Sequence, residues 1–297
     1  MYKRKMKIWP MRFLADMGRN LSTSPRGGRV GVVSCLFLLL CAAHVFAAQP
    51  RRMTAYPAGR VAVVVCPGGS YSWLDKQTEG HDVARWLQSE GISAYVLRYR
   101  VQGGFAFASG IRHIVRGHQY PDAQEDLQQA IRWLRDNADS LGIDPNRIGA
   151  MGFSAGGHLV ASVGELADGA SRPNFVVPIY PVVTLRQRDY VHRRSRRALL
   201  GEYRRWSRLW RDSLSLENHV PDDMPPVFLA NFKDDPIVHY HNSELLDSAL
   251  TARGIGHKYL QFEHGGHGFG ADSAKAGAEA IVWKNEFLNW LKDVQIR

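Results

Sequence analysis

Short apolar runs alternate with amphipathic stretches along the chain from residue 60 onward. Unbroken runs rich in β-branched residues are typical of strands that are buried on both faces of a sheet. Such runs predict strands over residues 60–66, 93–99, 146–151, 175–180, 226–231 and 258–262. Apolar residues at helical spacing predict helices over 82–88, 120–138, 156–166, 242–252 and 274–294. A glycine-rich loop is expected at 101–119, and mixed helix and loop at 184–224.

The order of these elements predicts an α/β fold. Strands that alternate with helices at this spacing form a mostly parallel, doubly wound sheet with helices on both of its faces. The segment 184–224 is expected to be an insert that covers one end of the sheet as a lid. In such sheets functional groups gather at the carboxyl ends of the strands. Residues that directly follow the predicted strands are therefore the first candidates for chemistry.

The first part of the chain differs from the rest. Residues 1–29 are basic, and residues 30–48 form an apolar run that ends in small residues. This pattern is typical of a secretory signal peptide and predicts a leader over 1–47 with a single domain over 48–297, periplasmic or secreted. The competing interpretation is an uncleaved membrane anchor. Because the basic region is long for a signal peptide, translation starting at Met11 or Met17 is an alternative.

The net charge of +10 comes mostly from this leader. Residues 1–47 hold eight Lys or Arg and one Asp, which leaves about +3 for the remainder, so a nucleic-acid partner loses its main support. A basic stretch at 192–211 carries interspersed apolar residues and is interpreted as the solvated face of a surface helix. Cys66 alone follows the leader, so no internal disulfide is expected.

The strand predicted at 146–151 leads into Gly152-Phe153-Ser154-Ala155-Gly156, and a predicted helix follows. A serine between two glycines at such a junction is typical of a nucleophile elbow, a sharp turn that holds the serine in an unfavourable backbone conformation. A side chain at either glycine would crowd that turn. An ordinary tight turn is the alternative, but the position between strand and helix favours Ser154 as a nucleophile.

A serine hydroxyl needs a base that takes its proton. With this type of elbow, the acid and then the histidine follow later in the chain. His267 lies in GGHGFG after the last predicted strand and is the expected base, with His264 as the alternative. Asp235, directly before Pro236, is expected to accept the other ring proton of the histidine, with Asp234 as the alternative.

Acyl transfer also needs main-chain donors for the oxyanion that develops on the substrate. The amide of Ala155, directly after the serine, is one expected donor. The loop after the first predicted strand reads CPGGSY, in which Gly68, Gly69 and Ser70 can turn their amides toward the same point. Tyr71 stands beside them as a candidate substrate contact.

Together these segments resemble the α/β-hydrolase superfamily, and more closely its BD-FAE-like acetyl esterase branch, which is related to the hormone-sensitive lipases. The resemblance spans about residues 60–293 and is carried by segments such as CPGGSYSWLDKQTEGHDVARWL, NRIGAMGFSAGGHLVAS, DDPIVHYHNSELL and GGHGFG. Where many relatives of hormone-sensitive lipase have His-Gly-Gly-Gly, this chain has Pro67-Gly68-Gly69-Ser70. The resemblance implies an α/β-hydrolase fold and the following site: nucleophile Ser154, acid Asp235, base His267, and oxyanion donors Gly69, Ser70 and Ala155.

The same resemblance implies a serine esterase that removes acetyl groups from small-molecule or oligosaccharide esters, such as those of xylan, without a metal or organic cofactor. The predicted leader implies that this esterase is exported. A feruloyl or general carboxylesterase, a peptidase of the same fold and a silent glycan-binding protein are the alternatives. The indole rings of Trp73, Trp206 and Trp210 are candidates for stacking on sugars, although packing is an equal explanation. The spacing of the histidines at 239, 241 and 257 matches no familiar zinc pattern.

Overall fold

The computed structural model describes residues 52–109, 113–276 and 278–294. The leader expected at 1–47 lies outside these residues, and so it stays a prediction. Within the described part of the chain, none of the helices combines the length and the apolar character that a membrane span requires.

In the described part of the chain, seven strands form one sheet, in the order β1-β3-β2-β4-β5-β6-β7. Neighbouring strands run parallel except β1, which pairs antiparallel with β3. The strands are β1 Met53–Tyr56, β2 Ala62–Cys66, β3 Ser93–Leu97, β4 Ile148–Phe153, β5 Phe175–Ile179, β6 Val227–Phe232 and β7 His257–Phe262. The mostly parallel sheet expected from the sequence is thus confirmed.

The apolar runs form strands because both faces of the sheet are covered. Along β2, the side chains of Val63 and Val65 pack into one hydrophobic cluster, whereas those of Val64 and Cys66 pack into the other on the opposite face. Every residue of β2 is buried. A strand with two buried faces needs no polar alternation, and this explains the unbroken apolar run in the sequence.

Helices flank the sheet on both sides. The helix Asp122–Asp136 buries the expected apolar face, formed by Leu127, Ala130, Ile131 and Leu134, against one side. The C-terminal helix Ala278–Asp293 buries aromatic residues that include Trp283 and Phe287 against the other. The remaining α-helices are Asp82–Ser89, Gly104–Ala108, Ala138–Leu141, Ala155–Leu166, Arg193–Arg204, Arg208–Ser213, His241–Ala252 and Ser273–Ala276.

The structure differs from the sequence-based expectations at several element boundaries. The edge strand β1 was not expected, because four residues with only Met53 fully buried give too weak a pattern. Strand β4 ends at Phe153 rather than at residue 151, which brings it directly to Ser154. The loop expected at 101–119 contains the short helix Gly104–Ala108.

The insert at 184–224 contains two helices, Arg193–Arg204 and Arg208–Ser213, and a 3₁₀ turn at Leu216–Asn218. Its first helix buries Leu199 and Leu200, so the basic stretch is amphipathic as expected. The chain kinks inside this helix at Gly201, where φ is 74°.

Candidate active site

Ser154 occupies a sharp turn between strand β4 and the helix Ala155–Leu166. Its φ of 55° and ψ of −117° are unfavourable for a residue with a side chain. Backbone hydrogen bonds hold this conformation, since the Ser154 amide donates to the Ile179 carbonyl at 3.0 Å and the Ser154 carbonyl accepts from the Val182 amide at 3.2 Å. Neighbouring segments therefore fix the strained serine in place.

The two glycines of the motif are required by space. A Cβ atom on Gly152 would lie 2.1 Å from the carbonyl oxygen of Gly156, and one on Gly156 would lie 2.1 Å from that of Cys66. Both neighbours are backbone atoms that cannot rotate away. The expected elbow is therefore present, and its glycines let strand β4, the helix and the end of β2 approach closely.

His267 and Asp235 meet across two loops. The Nδ1 atom of His267 lies 2.6 Å from Oδ2 of Asp235, whose side chain is 1% exposed, against 11% for the histidine. The other carboxylate oxygen accepts from the amides of Ile237 and Val238 at 2.8 and 2.9 Å. Since a carboxylate only accepts hydrogen bonds, Nδ1 carries a proton, and Nε2 is left as the basic nitrogen of the ring.

The two alternative residues contact each other rather than this pair. The Asp234 carboxylate accepts hydrogen bonds from the amides of Gly265 and Gly266 at 3.0 and 2.9 Å. The side chain of His264 is 83% exposed, and its Nδ1 lies 3.5 Å from Asp234. Desolvation raises the pKa of Asp234, but the two backbone hydrogen bonds and the neighbouring His264 together lower it below its ordinary value. Asp234 thus anchors the loop that carries His267.

The loop after β2 has an unusual backbone. Gly69, Ser70 and Tyr71 have φ values of 130°, 57° and 58°. A Cβ atom on Gly69 would lie 2.2 Å from the carbonyl oxygen of Trp73, so this glycine is required by both conformation and space. Gly68 donates its amide to a Glu79 carboxylate oxygen at 2.7 Å, and this removes it from the expected set of oxyanion donors.

The other expected donors remain near the serine. Gly69 and Ser70 line the same cleft as Ser154. Ala155 is the first residue of its helix, and a first-turn amide has no intrahelical acceptor. The partial positive charge at this end of the helix favours negative charge beside Ser154.

Tyr71 does not occupy the expected position of a substrate contact. It is 2% exposed, and its hydroxyl lies 2.8 Å from Nδ1 of His158. The Nε2–H of His158 in turn donates to the Leu214 carbonyl at 2.9 Å, so Nδ1 accepts from the tyrosine. Burial lowers the pKa of His158 to about 4, which keeps this ring neutral. Through His158, Tyr71 therefore links the loop after β2 to Leu214 of the insert.

The loop after β2, the serine elbow and the loop that carries His267 all line one cleft of about 260 Å³. Ser154 and His267 both line it, while no hydrogen bond joins their side chains in this structure. The insert contributes His192 and Arg194 to the walls. Desolvation, together with the neighbouring charges of His267 and Arg194, lowers the pKa of His192 to about 4.

The three tryptophans have different surroundings. Trp73 lines the cleft and is 44% exposed, with the Arg194 guanidinium 4.4 Å above its ring. Trp206 is 66% exposed and carries Arg205 over its ring, outside the cleft. Trp210 packs against the core and against Tyr120, which makes it a packing residue.

Cys66, His239 and His241, the other candidate reactive or metal-binding residues, do not line this cleft. Burial raises the pKa of the Cys66 thiol, so the cysteine stays protonated and does not compete as a nucleophile. The rings of His239 and His241 pack around Tyr190. In the ranges that the structure describes, no group of three or more His, Cys, Asp or Glu side chains is placed to hold a metal ion.

Sequence reasoning also missed Glu79 and Tyr180, which contact each other beside the catalytic residues. Glu79 is buried in the wall of the cleft, and its carboxylate accepts from the Tyr180 hydroxyl at 2.9 Å. The ring of Tyr180 packs against that of His267, with 4.6 Å between the centroids. Tyr180 follows directly after β5, so its place at a strand end was the available signal. Glu79 lies in a π-helical turn, Gln77–His81, and gave none.

Comparison with known proteins gives consistent results. The model of the BD-FAE family matches residues 62–250. An acetylxylan esterase from Xylanibacter ruminicola is 32% identical over 240 residues, covering 80% of this chain and 46% of that protein. Endo-1,4-beta-xylanase B from Butyrivibrio fibrisolvens is 33% identical over 220 residues, covering 70% of this chain and 32% of that protein. The chain thus spans less than half the length of either relative.

A solved structure agrees over a larger share of both chains. The acetyl ester-xyloside bifunctional hydrolase from Caldicellulosiruptor lactoaceticus superposes with a TM-score of 0.71 and 33% sequence identity. The match covers 82% of this chain and 88% of that one. Because the family model matches well over half of the sequence, and the sheet and the serine elbow agree with it, the chain belongs to the BD-FAE family and has the α/β-hydrolase fold.

Proposed function

We propose that this protein is a serine esterase that removes acetyl groups from sugar esters, with Ser154 as nucleophile, His267 as base and Asp235 as acid. The observation that carries the proposal is the 2.6 Å contact between His267 and the buried Asp235 carboxylate, in the loop that lines the cleft of the strained Ser154. Family membership and the esterases among its relatives support ester hydrolysis.

In the first half of the reaction, Oγ of Ser154 attacks the carbonyl carbon of the ester while its proton passes to Nε2 of His267. The amides of Gly69, Ser70 and Ala155 stabilise the resulting oxyanion. The bond between the carbonyl carbon and the sugar oxygen then breaks, and that oxygen takes the proton from His267. The products of this half are acetyl-Ser154 and the free hydroxyl group of the sugar.

In the second half, water attacks the acetyl carbon and gives a proton to His267. The acyl–oxygen bond to Ser154 breaks, the serine takes that proton back, and acetic acid leaves. Asp235 accepts the Nδ1 hydrogen bond throughout, which fixes the tautomer and stabilises the imidazolium formed twice per cycle.

The relatives and the volume of the cleft support the proposed substrate class. The relatives include an acetylxylan esterase and an acetyl ester-xyloside hydrolase. A cleft of about 260 Å³ accommodates a small acyl group, and the exposed ring of Trp73 at its edge offers a stacking surface for a sugar. Xylan acetyl esters are the substrates that we favour.

A side-by-side assay tests this proposal. The protein and its Ser154→Ala variant are incubated with acetylated xylan, acetylated chitooligosaccharide and feruloylated arabinoxylan, and released acid is measured. We expect acetate from acetylated xylan with the unmodified protein only. Release of ferulate alone would indicate a feruloyl esterase, and binding of glycans without release of either acid would indicate a glycan-binding protein.

We also propose that residues 1–47 direct export and are then removed. The basic and apolar pattern of these residues supports this proposal. N-terminal sequencing of the protein recovered from the periplasm and from the medium provides the test. A mature chain that begins near Ala48 is expected, whereas an intact chain retained in the membrane would indicate an anchor.

A further inference from the structure

Glu79 joins two parts of the site that are far apart in the sequence. One carboxylate oxygen, Oε2, accepts from the amide of Gly68 at 2.7 Å, in the loop that presents Gly69 and Ser70 to the cleft. The other, Oε1, accepts from the hydroxyl of Tyr180 at 2.9 Å. A Cβ atom on Gly68 would lie 2.5 Å from Oε2, so the loop and the carboxylate are closely fitted.

Tyr180 extends this connection to the histidine. Its ring packs against that of His267, and its hydroxyl accepts from the amide of Gly270 at 3.1 Å, in the loop that holds the histidine. Tyr180 has a φ of 37°, which is rare for a residue with a side chain. The tyrosine is therefore held in one orientation between the Glu79 carboxylate and the His267 loop.

The charges around Glu79 make its ionisation responsive to the histidine. Burial raises the pKa of Glu79 to about 7, while His267 and the hydrogen bonds from Tyr180 and Gly68 act in the opposite direction. Asp75, also on the cleft, raises it further. The surrounding groups include the buried phenol of Tyr99 and the ammonium of Lys275, which bonds to the neighbouring Thr78 hydroxyl at 3.1 Å. On the other side of His267 lie Asp235 and the neutral His192.

We propose that Glu79 is a second carboxylate of this active site, a positioning residue that stabilises the His267 imidazolium when it is ionised and orients the oxyanion loop through Gly68. This inference rests on the proposed serine esterase activity. Asp235 binds the imidazolium at its edge, whereas Glu79 acts through Tyr180 and through its negative charge in a poorly solvated wall, where charges interact strongly. The active form of the free enzyme has Glu79 ionised, with Nε2 of His267 free to accept the proton of Ser154.

The pH profile separates this role from a purely structural one. Burial raises the pKa of Glu79 to about 7, so protonation of Glu79 itself, with the loss of its charge, is expected to contribute to the acid limb of kcat/KM. In Glu79→Gln the side chain can still accept from Gly68 and can donate to Tyr180, but the charge is lost. We expect kcat to fall about 10- to 100-fold and the acid limb to move down by about one pH unit.

The matched control is Tyr180→Phe, which keeps the ring and the Glu79 carboxyl group but removes the hydrogen bond from the hydroxyl to Glu79 and the one from the Gly270 amide to the hydroxyl. Losing the hydroxyl donor favours the protonated carboxyl, so the acid limb is expected at the same or a higher pH than in the unmodified enzyme. This variant also tests the proposal if Glu79→Gln does not fold, as judged by circular dichroism. A downward shift in Tyr180→Phe would overturn the role of the charge.

The outcomes distinguish the two proposals. If the unmodified protein does not hydrolyse p-nitrophenyl acetate, the esterase function itself is wrong. If it does, and a folded Glu79→Gln variant keeps its acid limb unchanged, only the role of Glu79 is overturned. A lower kcat with an unmoved limb would make Glu79 a structural support of the Gly68 loop alone.

Discussion

Asp234 and Asp235 are adjacent in the sequence but bind two different parts of one loop. Asp235 accepts a hydrogen bond from the imidazole of His267 at 2.6 Å, whereas Asp234 accepts from the backbone amides of Gly265 and Gly266. One aspartate thus orients the ring, and the other holds the segment that carries the ring. The glycine-rich sequence around His267 lets its amides approach the carboxylate of Asp234.

The first prediction separates the two aspartates. Asp235→Asn leaves a neutral partner that favours the wrong tautomer of His267, so kcat on p-nitrophenyl acetate should fall by about four orders of magnitude. Asp234→Asn keeps an oxygen that accepts from both glycine amides, and its kcat should fall less than about tenfold. Comparable losses in the two variants would contradict the assignment of Asp235 as the acid.

The second prediction concerns the elbow. Gly156→Ala places a methyl group 2.1 Å from the Cys66 carbonyl oxygen and should lower the free energy of unfolding by about 3 kcal/mol. Gly256→Ala is the matched control, because nothing lies within 4 Å of its added Cβ, and it should change stability by less than about 0.5 kcal/mol. Urea denaturation of both variants measures the difference. Equal free energies of unfolding in the two variants would show that the backbone around the elbow shifts to make room for the added methyl group.

The elbow illustrates what the sequence could predict. The spacing of Gly152, Ser154 and Gly156 between a buried strand and a helix has one common structural solution, and the structure has it. The sequence favoured Asp235 but left Asp234 as an alternative. Both residues follow β6, and only the three-dimensional path of the loop at 263–270 decides which one meets the histidine.

The third prediction concerns His158, which is neutral and buried beneath the loop after β2. Its pKa is lowered to about 4 in the folded protein, against about 6.5 when unfolded. As the pH falls from 6.5 towards 4, the unfolded chain binds a proton that the folded one does not, so stability decreases. The contribution of His158 between pH 6.5 and 4.5 is about 2–3 kcal/mol.

His158→Gln provides the comparison for this pH effect. Its amide can donate to the Leu214 carbonyl as the histidine does, but it does not titrate. Denaturant midpoints at pH 6.5 and 4.5 should therefore fall less steeply in the variant than in the unmodified protein. An equal fall in both proteins would show that His158 is not the group that couples stability to pH.

The fourth prediction concerns sugar binding. Trp73→Ala removes an exposed ring at the cleft and should raise KM for an acetylated xylo-oligosaccharide about five- to tenfold, with little effect on KM for p-nitrophenyl acetate. Trp206→Ala removes a ring that is more exposed but lies outside the cleft, and it should leave both KM values unchanged. If both tryptophan variants raise KM equally, binding is not localised at the cleft.

The roles of Tyr71 and Glu79 could not be predicted from the sequence. Tyr71 follows the glycines of the loop after β2, and this position indicated a substrate contact. The two consecutive positive φ values at Ser70 and Tyr71 instead turn its side chain inward to His158. Glu79 belongs to a turn of π-helix that precedes Asp82–Ser89, and its carboxylate accepts a hydrogen bond from Tyr180, a residue 101 positions away. Contacts between residues so far apart along the chain leave no local pattern in the sequence.

The most direct test of the central claim is covalent labelling of the serine. The purified protein is incubated with a fluorophosphonate probe, digested and mapped by mass spectrometry, with Ser154→Ala as the control. An activated serine should form one adduct on the peptide that contains Ser154, and the variant should remain unlabelled. A protein that stays unlabelled at Ser154, or that carries its adduct on another serine, would contradict the account.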